Sequence, residues 1–116
     1  MVDPRKHIMI KIPPHGPISL DYFTKKPDYK MLREAVGGMI QEVPYFTKMT
    51  YNGRKFPRGI AYANEEGFML NLPDNMRARE LWRIACPTGD PDRMYLCGTV
   101  IFVCKEPNDE HARREV

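Results

Sequence analysis

From His7 to Ile12 apolar and polar positions alternate, with Ile8, Ile10 and Ile12 on one face, until Pro13-Pro14-His15-Gly16-Pro17 breaks the run. A period of two predicts a half-buried strand. Ile18 to Phe23 reads as a short extended segment. The period then changes: Leu32, Ala35, Val36 and Met39 fall at i, i+3, i+4 and i+7 behind Pro27-Asp28, which predicts an amphipathic helix with Lys30, Arg33 and Glu34 toward water. Gly37 is its expected left-handed cap, and Gly38 lets the chain pass closely into a strand read over Met39 to Thr50, with Pro44 marking an edge or a bulge.

Asn52-Gly53 is a hairpin dipeptide, and Gly59 to Asn64 reads as the return strand. Glu65-Glu66-Gly67 makes a turn, after which Phe68, Leu70 and Leu72 alternate as a short strand. Asp74 or Asn75 caps a second helix whose apolar stripe is Ala78, Leu81, Trp82 and Ala85. Pro87 to Asp92 is a loop by composition. Tyr95 to Cys104 is apolar on both faces, as a central strand covered on both sides should be. The order of strand, helix, strand, strand, short strand, helix, strand predicts an α+β fold: one domain over residues 1–104 with a mixed or mainly antiparallel sheet and two helices packed on it, then a charged tail over 105–116.

Composition narrows this picture little. At 116 residues the chain suits a single core. With 42% hydrophobic and 28% charged residues it reads as an ordinary globular protein. Cys86, Cys97 and Cys104 form an odd set with no Cys-x-x-Cys pair, so reduced thiols in a cytoplasmic setting are expected. Arg5, Lys6 and His7 precede too few apolar residues for a signal peptide, and no run is long enough to span a membrane. A formal charge of +3 permits nucleic-acid binding without implying it.

Taken in order, Leu-x-x-x-Val-Gly-Gly-x-Ile-x-x-Val from Leu32, Asn64-Glu65-Glu66-Gly67, Leu72-Pro73-x-Asn75-x-x-Ala78 and the Gly98-Thr99-Val100 strand resemble the phage and mobile-element family catalogued as domain of unknown function 3846. The likeness covers roughly residues 30–104. It implies a phage or mobile-element origin and an accessory role in the cytoplasm of an infected bacterial host. No catalytic role attaches to the matched positions. The chain departs from the family pattern in its hairpin around Asn52 to Arg58 and in its cysteine-bearing last strand.

Candidate chemistry is sparse. Ser19 is the only serine and sits in no nucleophile elbow, and Val36-Gly37-Gly38 follows a helix where a phosphate loop would open one. His7, His15 and His111 are scattered, so neither a metal nor a cofactor is expected. Glu65 and Glu66 invite an acid–base reading, but adjacent residues diverge and a Glu-Glu-Gly turn is ordinarily solvated; Asn64 equally suits a turn-stabilising role.

Arg77, Arg79 and Arg83 on the second helix, with Arg54, Lys55 and Arg58 on the hairpin, form a basic group interleaved with Tyr45, Phe46, Tyr51, Phe56 and Tyr62. Guanidinium forks suit phosphate or carboxylate. The same arginines also suit a solvated face, with Glu80 pairing locally, and the aromatics suit base stacking, an interface or simple packing. The expectation is a non-enzymatic accessory protein, in a host-takeover or anti-defence role, that captures a host protein or a small anionic, nucleotide-like signalling ligand. Its binding set would draw on Arg54, Arg58, Asn64, Glu65, Glu66, Asn75, Arg77, Arg79 and Arg83, and it could form a homo-oligomer. The alternative is weak nucleic-acid binding through the basic hairpin and helix.

Overall fold

In a computed structural model, which describes residues 6–106, the chain forms an antiparallel five-stranded sheet with a layer on each face. The elements are β1 (His7–Ile12), β2 (Ser19–Phe23), α1 (Tyr29–Val36), β3 (Ile40–Val43), β4 (Met49–Tyr51), β5 (Arg54–Phe56), β6 (Gly59–Asn64), α2 (Met76–Ala85) and β7 (Val100–Lys105). The sheet runs β2-β1-β7-β6-β3, and β4 and β5 make a separate hairpin. The α+β class and the two packed helices follow the expectation, and the sheet is antiparallel throughout.

Strand alternation divides the core between the two faces. Val100, Phe102 and Cys104 of β7 join Ile8, Ile10 and Ile12 beneath α2 and the hairpin, packing on Ala78, Trp82, Phe46 and Phe56. Ile101 and Val103 point the other way, with Met9, against Leu32 and Val36 of α1. β7 is therefore central and covered on both sides. β1 is too: Met9 is buried, so the half-buried reading from its isoleucines gives way to a strand sandwiched by two layers. Full burial of each large aromatic or aliphatic side chain contributes roughly 1.5–3 kcal/mol.

Caps set the helix limits. The Asp28 carboxylate accepts from the Met31 N–H at 2.9 Å, and Gly37 closes α1 at φ 82°. That left-handed cap turns the chain out of the helix, so Met39 leaves the predicted stripe for the surface, and Ile40 packs under α1 from the strand instead. The strand expected over Met39 to Thr50 ends at Val43 because Pro44 cannot donate and Tyr45 takes φ 63°.

Three further expectations are corrected. Asn52 and Gly53 both have positive φ, as a two-residue hairpin turn requires, but the return strand is Arg54–Phe56; so tight a turn pairs its immediate flanks, Tyr51 with Arg54. Gly59–Asn64 pairs instead with β3 and β7. The segment Phe68 to Leu72 is a run of hydrogen-bonded turns, not a strand: Leu70 N donates to Glu66 O at 2.9 Å and Leu72 N to Gly67 O at 3.0 Å, which curls the backbone away from any neighbouring strand. Finally, β7 begins at Val100, because Gly98 at φ 78° breaks the extended run from Tyr95. Of the expected charged tail, Lys105 completes β7 and Glu106 N donates to Lys6 O; residues 107–116 lie outside the described residues.

Candidate binding cleft

Asn64 ends β6 and begins the corner on which the site is built. Its Oδ1 accepts from the Glu66 N–H at 2.8 Å, closing an Asx turn, and Gly67 N donates to Asn64 O at 3.1 Å. Glu65 N donates to Met39 O at 2.8 Å, extending the β3–β6 ladder by one pair. Gly38 lies against this corner so closely that a Cβ would stand 2.9 Å from Asn64 Nδ2. The Gly-Gly and Asn-Glu-Glu-Gly motifs thus meet in space, and Gly38 is small because Asn64 occupies the place of its side chain.

Beyond the corner, the chain leaves a cleft of about 320 Å³ along β3. Gln41, Val43 and the small Ala63 form its sheet floor, Trp82 one wall, Tyr95 to Cys97 another, and Asn64 to Phe68 the third. Trp82 is held in place by its Nε1–H, which donates to Pro44 O at 2.7 Å. Tyr95 carries the Arg79 guanidinium 4.9 Å from its ring centroid, a cation–π stack, while Arg79 Nη2 donates to Pro91 O at 3.1 Å. The rim is apolar and exposed: Phe68 is 83%, Met69 79% and Leu70 56% accessible.

The carboxylates nearest the cleft are Glu65 on its third wall, Glu66 at the corner, and Glu42, whose side chain leaves β3 on the α1 face beside Tyr62. Glu42, Glu65 and Glu66 are exposed, and among the described residues none of them is in an ion pair. Arg93 also lines the cleft but faces Asp90 at 3.7 Å. Burial, and secondarily the Glu42 carboxylate, raise the Tyr62 hydroxyl above its ordinary value. Cys97 borders the cleft with its Sγ 3.7 Å from Asp74 Oδ1; burial first, then the charge of Asp74 and its hydrogen bond, raise the thiol, so it stays protonated and weakly nucleophilic at neutral pH. Cys104, in the core, is pushed up to about 11 by burial, partly offset by Arg54.

The residues singled out from sequence are dispersed. Asn64 and Glu65 line the cleft, Glu66 sits at its corner, and Arg79 braces its Tyr95 wall. Asn75 is elsewhere and wholly buried: Nδ2 donates to Ile12 O at 2.7 Å and to Gly98 O at 2.8 Å, while Oδ1 caps α2 by accepting from Ala78 N at 3.0 Å. It ties three segments together and has no surface to offer a ligand. Arg54 pairs with Glu106, donates to Tyr22 Oη at 3.0 Å and stacks on Phe56. Arg77 donates to Gly16 O at 2.6 Å, Arg83 lies 3.7 Å from Glu80 within its own helix, and Arg58 is exposed on the hairpin exit. Each arginine is thus engaged with a different part of the chain or left singly at the surface.

Sequence reasoning missed Phe68, Tyr95 and Arg93 as site residues and assigned Trp82 to the core alone. One signal was present: Phe68-Met69-Leu70 is apolar without interruption, which an alternating surface strand would not be. Among the described residues there is no cluster of three or more His, Cys, Asp or Glu able to hold a metal, and no helix is long and apolar enough to cross a membrane. Compared with known protein-family profiles, with curated proteins and with solved structures, the chain matches none.

Proposed function

We propose that this chain is a non-enzymatic accessory protein that captures a partner protein through the Phe68–Leu70 turn and the cleft beside it. The likeness to the phage family suggests that the partner belongs to the infected host. One observation carries the reading: three consecutive large apolar side chains are held outward on a turn whose backbone is hydrogen-bonded at Gly67, Leu70, Asn71 and Leu72. An exposed apolar patch on an ordered frame marks an interface, because its ordering entropy is already spent before a partner arrives.

The size of the cleft supports the same reading. At about 320 Å³ it is at the lower end of small-molecule sites, and it suits one anchoring side chain of a partner. An anionic ligand gains less support, since the arginines do not converge. Catalysis gains less again: Glu65 and Glu66 are exposed, and the Cys97 thiol is held protonated.

The test compares the wild-type protein with a Phe68→Ser/Met69→Ser/Leu70→Ser variant, each tagged and expressed in bacteria, by quantifying the proteins that co-purify. A near-stoichiometric partner retained by the wild type and reduced at least about tenfold by the variant is expected, equivalent to about 1.4 kcal/mol of binding energy. Equal recovery from both proteins sinks the reading.

A further inference from the structure

The outer edge of β3 is an open hydrogen-bonding surface beside the cleft. The Glu65 N–H to Met39 O bond places Met39 opposite Glu65 at a hydrogen-bonded position of the ladder, so by antiparallel alternation Gln41 with Ala63 and Val43 with Ala61 are bonded pairs as well. The N–H and C=O groups of the intervening residues, Ile40 and Glu42, therefore point away from β6. Among the described residues no strand, turn or side chain pairs with them. Gln41 to Pro44 also line the cleft, which places it along this edge.

We infer that β3 accepts an extended segment of the partner as an added strand, with an apolar side chain in the cleft and a Lys or Arg next to it facing Glu42. This rests on the partner-capture reading above and specifies its mode. Four backbone groups on Ile40 and Glu42 supply main-chain bonds, and the alternation of the sheet supplies the side-chain code. On the α2 face, beside Gln41 and Val43, the added strand meets Trp82 and Phe68. On the α1 face, one residue along, it meets the Glu42 carboxylate. Charge selects the occupant: Glu42, Glu65 and Glu66 are unneutralised among the described residues, which favours a basic segment over a second copy bearing the same carboxylates.

The probes are two acetylated, amidated six-residue peptides in which Phe or Val alternates with Lys, or with Glu. Binding is followed up to about 1 mM by amide NMR and hydrogen exchange, a range that detects weak strand addition. The Lys peptide should slow exchange of the Ile40 and Glu42 amides, and the Glu peptide should bind at least about tenfold more weakly. Glu42→Lys, an exposed substitution, should reverse that preference, and N-methylation of the peptide at alternate residues should abolish binding in one register only. Unchanged Ile40 and Glu42 amides overturn strand addition, as does binding indifferent to both Glu42→Lys and N-methylation. A concentration-dependent dimer of the free protein that protects the same amides also overturns it, in favour of self-pairing. If the mode fails while the triple turn variant still releases the partner, capture stands by another geometry; if the variant changes nothing, capture itself fails.

Discussion

Two asparagines end extended segments and start turns, yet they are used in opposite ways. Asn75 is fully buried and spends its side chain on bonds to β1, to Gly98 and to the first turn of α2, so it joins segments far apart in the chain. Asn64 is also buried, but its one side-chain bond reaches only two residues, to Glu66. The first corner holds the layers together, whereas the second shapes a turn that holds Phe68, Met69 and Leu70 toward solvent. Similar chemistry therefore serves stability where the partners are distant and display where they are local.

The strongest way to break this contrast is Asn75→Ala. It removes the donor to two buried carbonyls and the cap of α2, each loss costing about 1 kcal/mol or more, so a destabilisation of about 3 kcal/mol or more is expected. Chemical denaturation should show it as a lower midpoint with an unchanged slope, and thermal melting as a fall of roughly 10 °C or more. A loss below about 1 kcal/mol would reduce Asn75 to an ordinary cap.

Next comes Gly98→Ala, in the loop that Asn75 grips. A Cβ there meets Leu72 Cδ1 at 2.8 Å, which a leucine can relieve by moving, but φ 78° is unfavourable for any L side chain. About 1–2 kcal/mol of destabilisation is expected in the same denaturation experiment. Since Gly98 O also accepts from Asn75, its cost should shrink in the Asn75→Ala background.

These two sites show where the sequence was legible. Asn75 was readable as a cap because capping is local: a polar residue just before the Ala78, Leu81, Trp82, Ala85 stripe. Its bonds to Ile12 and Gly98 were not, because nothing in local spacing encodes a contact across 63 residues. β1 and both helices were legible for the same reason of local period, and β7 from a stretch apolar on both faces. The partner of the Asn52-Gly53 turn was misassigned because Gly59–Asn64 is the longer and more apolar candidate, while the true return strand has only three residues. The cleft draws on β3, the 64–68 corner, Trp82 and Tyr95 to Cys97, four separate stretches; the sequence identified the Asn64 corner but could not show what would face it.

A smaller effect tests whether the Asn64 corner is as local as its bond. Gly38→Ala brings a Cβ against the Asn64 amide, which is not free to yield while it holds the Glu66 N–H, and should cost about 1 kcal/mol. Asn64→Ala loses that bond at a similar cost. In the double variant the new methyl group moves into the space the amide has left, so the two costs should fall short of their sum by about 0.5–1 kcal/mol. Strict additivity in a double-mutant cycle would mean that the two motifs, though adjacent, do not support one another.

The smallest effect on stability is expected where the largest effect on binding is proposed. Phe68 and Met69 are so exposed that changing either to Ser removes little buried area and should move stability by no more than about 0.5 kcal/mol in either direction, whereas Leu70, at 56% accessible, should lose up to about 1 kcal/mol. The turn itself should survive, because its hydrogen bonds run between backbone groups and do not involve these side chains. Amide exchange at Leu70 and Leu72 should therefore stay protected in the Phe68→Ser protein. A marked loss of stability or of that protection would mean that the three side chains fold inward in solution; they would then be a satellite of the core, and the division between a corner that binds layers and a corner that displays a surface would collapse.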